Sequence, residues 1–208
     1  MLSAPAAPQP MQAAPQHDHV EAVVIGASAG GIEAVSILLS ALPKDFAPAV
    51  IIVIHVPATN NSLLVEVMQP RCALPVSEAN DKESVRGGVV YIAPPAYHLL
   101  VEPDHSFALS VDPPVNYSRP SIDVLFESAA YAYRERLLGI VLTGANADGA
   151  EGLARIRTFG GKGWVQQPDT AVASMMPASA IERAGADQIL SLPAMAAELA
   201  GLQAAQTS

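Results

Sequence analysis

The chain has 208 residues, half of them hydrophobic and 15% charged, which is enough apolar material for one sizeable core and points to a single catalytic domain. Its formal charge of −9, with no run rich in Lys or Arg, argues against a surface built to displace counterions from nucleic acid or from an anionic membrane. Cys72 is the only cysteine, which excludes an internal disulfide or a cysteine-based zinc cluster and fits a reducing, cytoplasmic setting.

No apolar run reaches the roughly 18 residues of a membrane span, so no membrane insertion is expected. Residues 1–20, rich in Ala, Pro and Gln, cannot bury a core and read as a disordered segment ahead of a catalytic domain over 21–204. Within that head, His17, Asp18 and His19 make a poor cage, and neither a metal nor another cofactor is expected.

From Glu21 onward, short apolar runs alternate with longer amphipathic ones, the rhythm of an α/β fold with a mostly parallel, doubly wound sheet covered by helices. A strand over Glu21–Gly26 leads into a helix with Ile32, Val35, Leu38, Leu39 and Leu42 on one face, stopped by Pro43. Ala49–Ile54 is apolar without alternation, as a strand covered on both faces should be, and His55 terminates it. A helix over Asn61–Gln69 follows.

Between Leu74 and Asp112 the segments shorten and Gly/Pro pairs punctuate them, which predicts a short antiparallel insert. Its strands are expected at Gly88–Ile92, His98–Glu102 and Phe107–Val111. The α/β rhythm resumes with a helix over Ser121–Arg134, a strand over Leu138–Thr143, a helix over Gly149–Phe159 and strands over Gly163–Gln166 and Gln188–Leu190, before a last helix.

The chemistry concentrates at Gly26-Ala27-Ser28-Ala29-Gly30-Gly31, where a strand turns sharply into a helix. Small flanking residues let the backbone turn tightly, push a serine Oγ outward and leave N–H groups at the helix start free for an oxyanion. The same residues could cradle a dinucleotide phosphate. A serine nucleophile needs a base, commonly histidine, oriented by a carboxylate. His17 and His19 lie in the head, His105 in a polar turn and His98 in the insert. His55 remains, just past the end of the strand after Ser28's, and ligands gather at the carboxyl ends of parallel strands. Taken alone, His55 reads equally well as a core histidine bonded to a carbonyl.

Asp148, in a glycine-bounded loop after a third apolar strand, supplies a carboxylate at a matching strand end. With Glu151 three positions on, it also resembles a capping box for the following helix. Asp123 falls in the first turn of a helix, where the helix dipole accounts for it, and Asp169 in a turn that satisfies it locally.

With these three sites in view, the chain from about Ala22 to Leu190 resembles the catalytic domain of the chemotaxis-type protein-glutamate methylesterase (CheB) family. The likeness is carried by Ile25–Gly31, Ile54–Pro57, Val90–Pro95 with His98, Arg119–Phe126, Leu142–Gly144 with Asp148–Ala150, and Gln167 through Met176–Pro177. The resemblance implies hydrolysis of glutamate methyl esters on methyl-accepting chemoreceptors, and deamidation of receptor glutamines. It assigns the nucleophile to Ser28, the base to His55, the orienting carboxylate to Asp148 and an oxyanion contact to the Ala145 N–H, with Ala29 beside it.

The chain departs from the common pattern at Ala29, Ile54 and Ala145-Asn146, the last pair standing where Met-Gly is usual. Asparagine tolerates positive φ, so the loop can keep its shape. Many members carry an N-terminal receiver domain, for which 20 residues are too few, so control by a separate regulatory protein, or constitutive activity, is expected.

Two rivals remain at this level. A nicotinamide-dependent short-chain reductase would explain the glycines, but Tyr97, Tyr131 and Tyr133 all lack the Lys four positions on that such an enzyme uses. A non-catalytic module that binds receptors or a signalling partner is the alternative from a different class.

Overall fold

The computed structural model describes residues 20–55 and 63–202. The reading of residues 1–20 therefore falls, Val20 apart, outside the described residues, as do the motif residues Val56 and Pro57 and the first two positions of the helix expected from Asn61.

In chain order the elements are β1 (Ala22–Ala27), α1 (Gly31–Ala41), β2 (Ala49–Ile54), α2 (Leu64–Met68), β3 (Val76–Glu78), β4 (Val90–Ile92), β5 (His98–Val101), β6 (Phe107–Ser110), α3 (Ile122–Tyr133), β7 (Leu137–Val141), α4 (Ala150–Thr158), β8 (Lys162–Gln166), α5 (Met175–Ala184), β9 (Gln188–Leu190) and α6 (Leu192–Ala200). A seven-stranded sheet runs in the order β3-β4-β2-β1-β7-β8-β9, and every pairing in it is parallel. β5 and β6 form a separate antiparallel pair.

This is the expected α/β class, with one correction. The strand at Val90–Ile92 does not belong to the antiparallel insert; it pairs in parallel with β2 on one side and β3 on the other. A run of three apolar residues carries no directional information, so its orientation follows from the chain path alone. β3 and α5 were not foreseen. β3 is only three residues long, and α5 opens on Met175-Met176-Pro177, without the wide apolar stripe that marks α1.

The sheet buries both faces because successive side chains point to opposite sides. Val23, Ile25, Val50, Ile52 and Ile54 pack with Val35, Leu38 and Leu39 of α1 and with Met195 and Leu199 of α6. Val24, Ile51 and Val53 face the other layer, with Leu125 and Phe126 of α3, Leu153 of α4 and Phe107 of β6. Ile32, which the helical spacing puts with the core residues of α1, is 38% exposed, because the first turn of α1 stands at the carboxyl rim of the sheet.

The chain runs from β1 to its neighbour β2, on to the edge strand β3 and back to β4 between them, then crosses to β7, β8 and β9 on the other side of β1. The reversal leaves a crevice at the carboxyl ends of β1 and β7, where open α/β sheets bind their ligands.

Candidate active site

The turn after β1 is built by its neighbours. The Ser28 N–H donates to the Thr143 carbonyl at 2.9 Å, and the Gly31 N–H closes the turn onto the Ser28 carbonyl at 2.7 Å. Gly30 has φ 77°, a left-handed conformation, and a Cβ there would lie 2.7 Å from Val172 Cβ. Gly26 lies within β1, and a Cβ there would lie 2.4 Å from Ile122 Cγ2, so packing calls for the smallest residue at that position. The Thr143 hydroxyl donates to the Ala29 carbonyl at 2.8 Å, which ties the elbow to the end of β7.

The β1–β2 register ends at Ala27↔Ile54, so Ser28 and His55 are the next residues on adjacent strands, about 4.8 Å apart by sheet geometry. The His55 N–H donates to the Ala27 carbonyl at 3.0 Å, which continues the ladder one step past the strand. A backbone bond thus ties the end of β2 to the start of the Ser28 turn.

Asp148 follows β7 and is fully buried. Its Oδ1 accepts the Ser121 hydroxyl at 2.8 Å, the Asp123 N–H at 3.1 Å and the Asn116 amide at 3.1 Å; its Oδ2 accepts the Ile122 N–H at 2.7 Å. His55 Nε2 lies 2.9 Å from the same Oδ2. That oxygen sits off the line of the ring N–H, so the contact is an electrostatic pairing and not an aligned hydrogen bond. Burial by itself would raise the Asp148 carboxyl, but the contact with His55 and the donors from Ile122, Asn116 and Asp123 overcome it and hold the group down at about 2. Asp148 is therefore a carboxylate at neutral pH.

The structure thus brings His55 and Asp148 into contact and puts Ser28 on the strand between theirs. Among the described residues no hydrogen bond joins Ser28 Oγ to His55; the other ring nitrogen, Nδ1, makes a long contact with the Asn146 amide at 3.5 Å. Ala29 and Ala145 stand exposed at the same rim, and neither N–H donates to an acceptor among the described residues.

The capping-box reading of Asp148 and Glu151 is overturned. Gly149 is the N-cap of α4, and Glu151 pairs instead with Arg183 at 2.6 Å. Asp148 caps the first turn of α3, while Asp123 of that turn accepts the Gly149 and Gly152 N–H groups of α4 at 2.9 and 2.7 Å. Each carboxylate thus caps the other's helix. Asp123 lies in the first turn of α3, as expected, and in addition serves the neighbouring helix.

Ser121 and Asn116 were not singled out from the sequence. Ser121 precedes α3 and looks like an ordinary N-cap, yet its hydroxyl goes to Asp148. His98 is buried in the same region and fully used: Nδ1 accepts the Ser121 N–H at 3.2 Å and Nε2 bonds to the Pro113 carbonyl at 3.1 Å.

The two carboxylates have opposite pH signatures. Asp123 is raised to about 6, by burial first and by the charge of Asp148, against its backbone donors. A raised carboxyl disfavours the folded state while ionised, so stability rises as pH falls through about 6 toward the unfolded value. Asp148, lowered, contributes stability above the unfolded value that is lost as pH falls toward 2, about 2 kcal/mol for such a shift. Between pH 7 and 5 the wild type should gain stability relative to Asp123→Asn in urea unfolding; a pH-independent difference between the two would contradict this assignment.

Comparison with known proteins agrees with this architecture. A family model described as CheB methylesterase matches residues 23–199. The chain belongs to the CheB methylesterase family. A relative from Leptospira interrogans serogroup Icterohaemorrhagiae serovar copenhageni is 47% identical over 176 residues, covering 85% of this chain and 91% of that protein. A Xanthomonas oryzae protein-glutamate methylesterase/protein-glutamine glutaminase is 40% identical over 180 residues, but there the match covers 51% of the relative. The crystal structure of the Thermotoga maritima CheB methylesterase catalytic domain superposes with a TM-score of 0.84 at 32% identity, covering 88% of this chain and 99% of that one. Among the described residues no helix is long and apolar enough to cross a membrane, and no cluster of His, Cys, Asp or Glu could hold a metal ion.

Proposed function

We propose that this member of the CheB methylesterase family is a serine hydrolase that removes methyl esters from glutamate side chains of chemoreceptors in the cytoplasm, and deamidates receptor glutamines at the same site. The observation that carries the reading is the placement of Ser28, His55 and Asp148 at the carboxyl ends of three adjacent parallel strands, with Ser28 on the middle one.

Asp148 pairs with His55 Nε2, which keeps the proton on that nitrogen and leaves Nδ1 as the base. Ser28 Oγ attacks the ester carbonyl, and its proton passes to Nδ1 as the hydroxyl displaces the long Asn146 contact. The imidazolium faces a fixed carboxylate, then returns the proton to the departing methanol. Water hydrolyses the acyl-enzyme by the same route in reverse. The N–H groups of Ala29 and Ala145, which donate to no acceptor among the described residues, are assigned to the oxyanion. A cavity of about 290 Å³ lined by His55, Tyr117, Ser118, Arg119 and Pro120 seats the ester-bearing segment.

Methylated receptor incubated with the protein should release methanol, and the corresponding glutamine form should release ammonia. Binding of receptor with neither product, across several receptors, would leave the non-catalytic alternative standing.

A further inference from the structure

The hairpin Val115–Ser118 has a feature that neither packing nor chain reversal requires. Val115 and Ser118 exchange both backbone hydrogen bonds, at 3.1 and 2.9 Å, around a two-residue turn. Asn116 at φ 50° and Tyr117 at φ 60° are both left-handed, as the mirror-image turns of hairpins demand. Asparagine suits that conformation; tyrosine in place of the usual glycine is strained there.

The turn delivers the Asn116 amide between two acids. Its Nδ2 lies 2.8 Å from Asp123 Oδ2 and 3.1 Å from Asp148 Oδ1. Among the described residues it is the only side chain bonded to both. An amide NH₂ has two hydrogens, one for each carboxylate. Without it, two neighbouring buried carboxylates would lower their repulsion by sharing a proton, which would leave His55 facing a partly neutral partner.

We propose that Asn116 is a positioning residue for hydrolysis: by donating to Asp123 and Asp148 together it keeps both as anions, so that Asp148 holds the His55 tautomer and orientation. This inference rests on the Ser28–His55–Asp148 reading above. Asn116 touches neither substrate nor the reacting atoms. Tyr117, fully exposed on the cavity beside His55, is separate from this role.

The other charged and titratable groups on the surrounding elements are engaged elsewhere. Arg119 bonds to the Val111 and Asp112 carbonyls, His98 to Ser121 and Pro113, and Glu151 to Arg183. None of them replaces the Asn116 donor.

The test compares wild type with Asn116→Ala, Asn116→Ser, Asn116→Ala/Asp123→Asn and Tyr117→Ala. Removing the amide should lower kcat by about tenfold to a hundredfold with KM nearly unchanged, the size expected for a misaligned catalytic group. The acid limb of the kcat profile should move to higher pH, and adding Asp123→Asn should move it back. Tyr117→Ala should change KM and leave that limb in place.

Nitrogen NMR of His55 gives a readout independent of turnover. The Nε2–H tautomer should dominate in wild type and become mixed in Asn116→Ala. The serine variant retains a small polar group in the turn, and the same NMR shift is expected of it should the alanine variant fail to fold. An unchanged tautomer with an unchanged pH limb, or an effect confined to KM, overturns the proposal. Absence of methanol release from wild type would instead refute the esterase reading, and the His55 tautomer would still decide the role of Asn116.

Discussion

Ser28→Ala should abolish methanol release, lowering kcat by on the order of 10⁴ to 10⁶. The expectation comes from position. Ser28 stands on the elbow after β1, one residue past the Ala27–Ile54 pair that ends the β1–β2 register, as His55 does on β2, with glycines at 26 and 30 that the surroundings leave no room to replace. Its Oγ has no hydrogen-bond partner among the described residues, so removing it costs the fold nothing; urea midpoints of variant and wild type should coincide. Acid-quenched wild type should carry an acyl group on the peptide containing Ser28, and the variant none. More than a tenth of the activity surviving in a folded variant would move the nucleophile elsewhere.

Asp148→Asn should lose both turnover and stability, which separates it from the serine variant. Turnover should fall by roughly 10⁴, because an amide nitrogen facing His55 Nε2 selects the wrong tautomer. Rotating the amide does not relieve the problem. One oxygen of Asp148 accepts Ile122 N–H and faces His55, and the other accepts Ser121, Asp123 and Asn116. Whichever position the NH₂ takes, donor meets donor in a fully buried site. The cost should be about 2–4 kcal/mol in urea unfolding. Stability equal to wild type would mean that the α3 cap is dispensable, and normal turnover would remove Asp148 from the mechanism.

The proposed catalytic constellation was more legible in the sequence than the strands that frame it. Gly26 to Gly31 has a local steric signature, and His55 and Asp148 each follow an apolar run that ends abruptly. Strand ends are where parallel sheets collect function, so position along the chain stood in for position in space. β3 and the orientation of β4 were not legible, because three-residue strands owe their direction to the crossover that delivers them. The crossed capping of α3 and α4 was equally hidden: Asp148 beside Glu151, and Ser121 before α3, satisfy local rules that the fold does not use.

What the amino-acid order determined by itself is the α/β class, the sharp turn at Ser28 and the residues able to supply nucleophile, base and orienting carboxylate. These depend on periodicity and on backbone sterics within a few positions. Only the tertiary structure decided that Asp148 serves α3 and His55, that Asp123 answers it from the other helix, and that Asn116 reaches both. A buried carboxylate takes whichever donors the packing brings within about 3 Å, and no local pattern specifies that the donors to Asp148 come from residues 25 to 32 positions away in the chain.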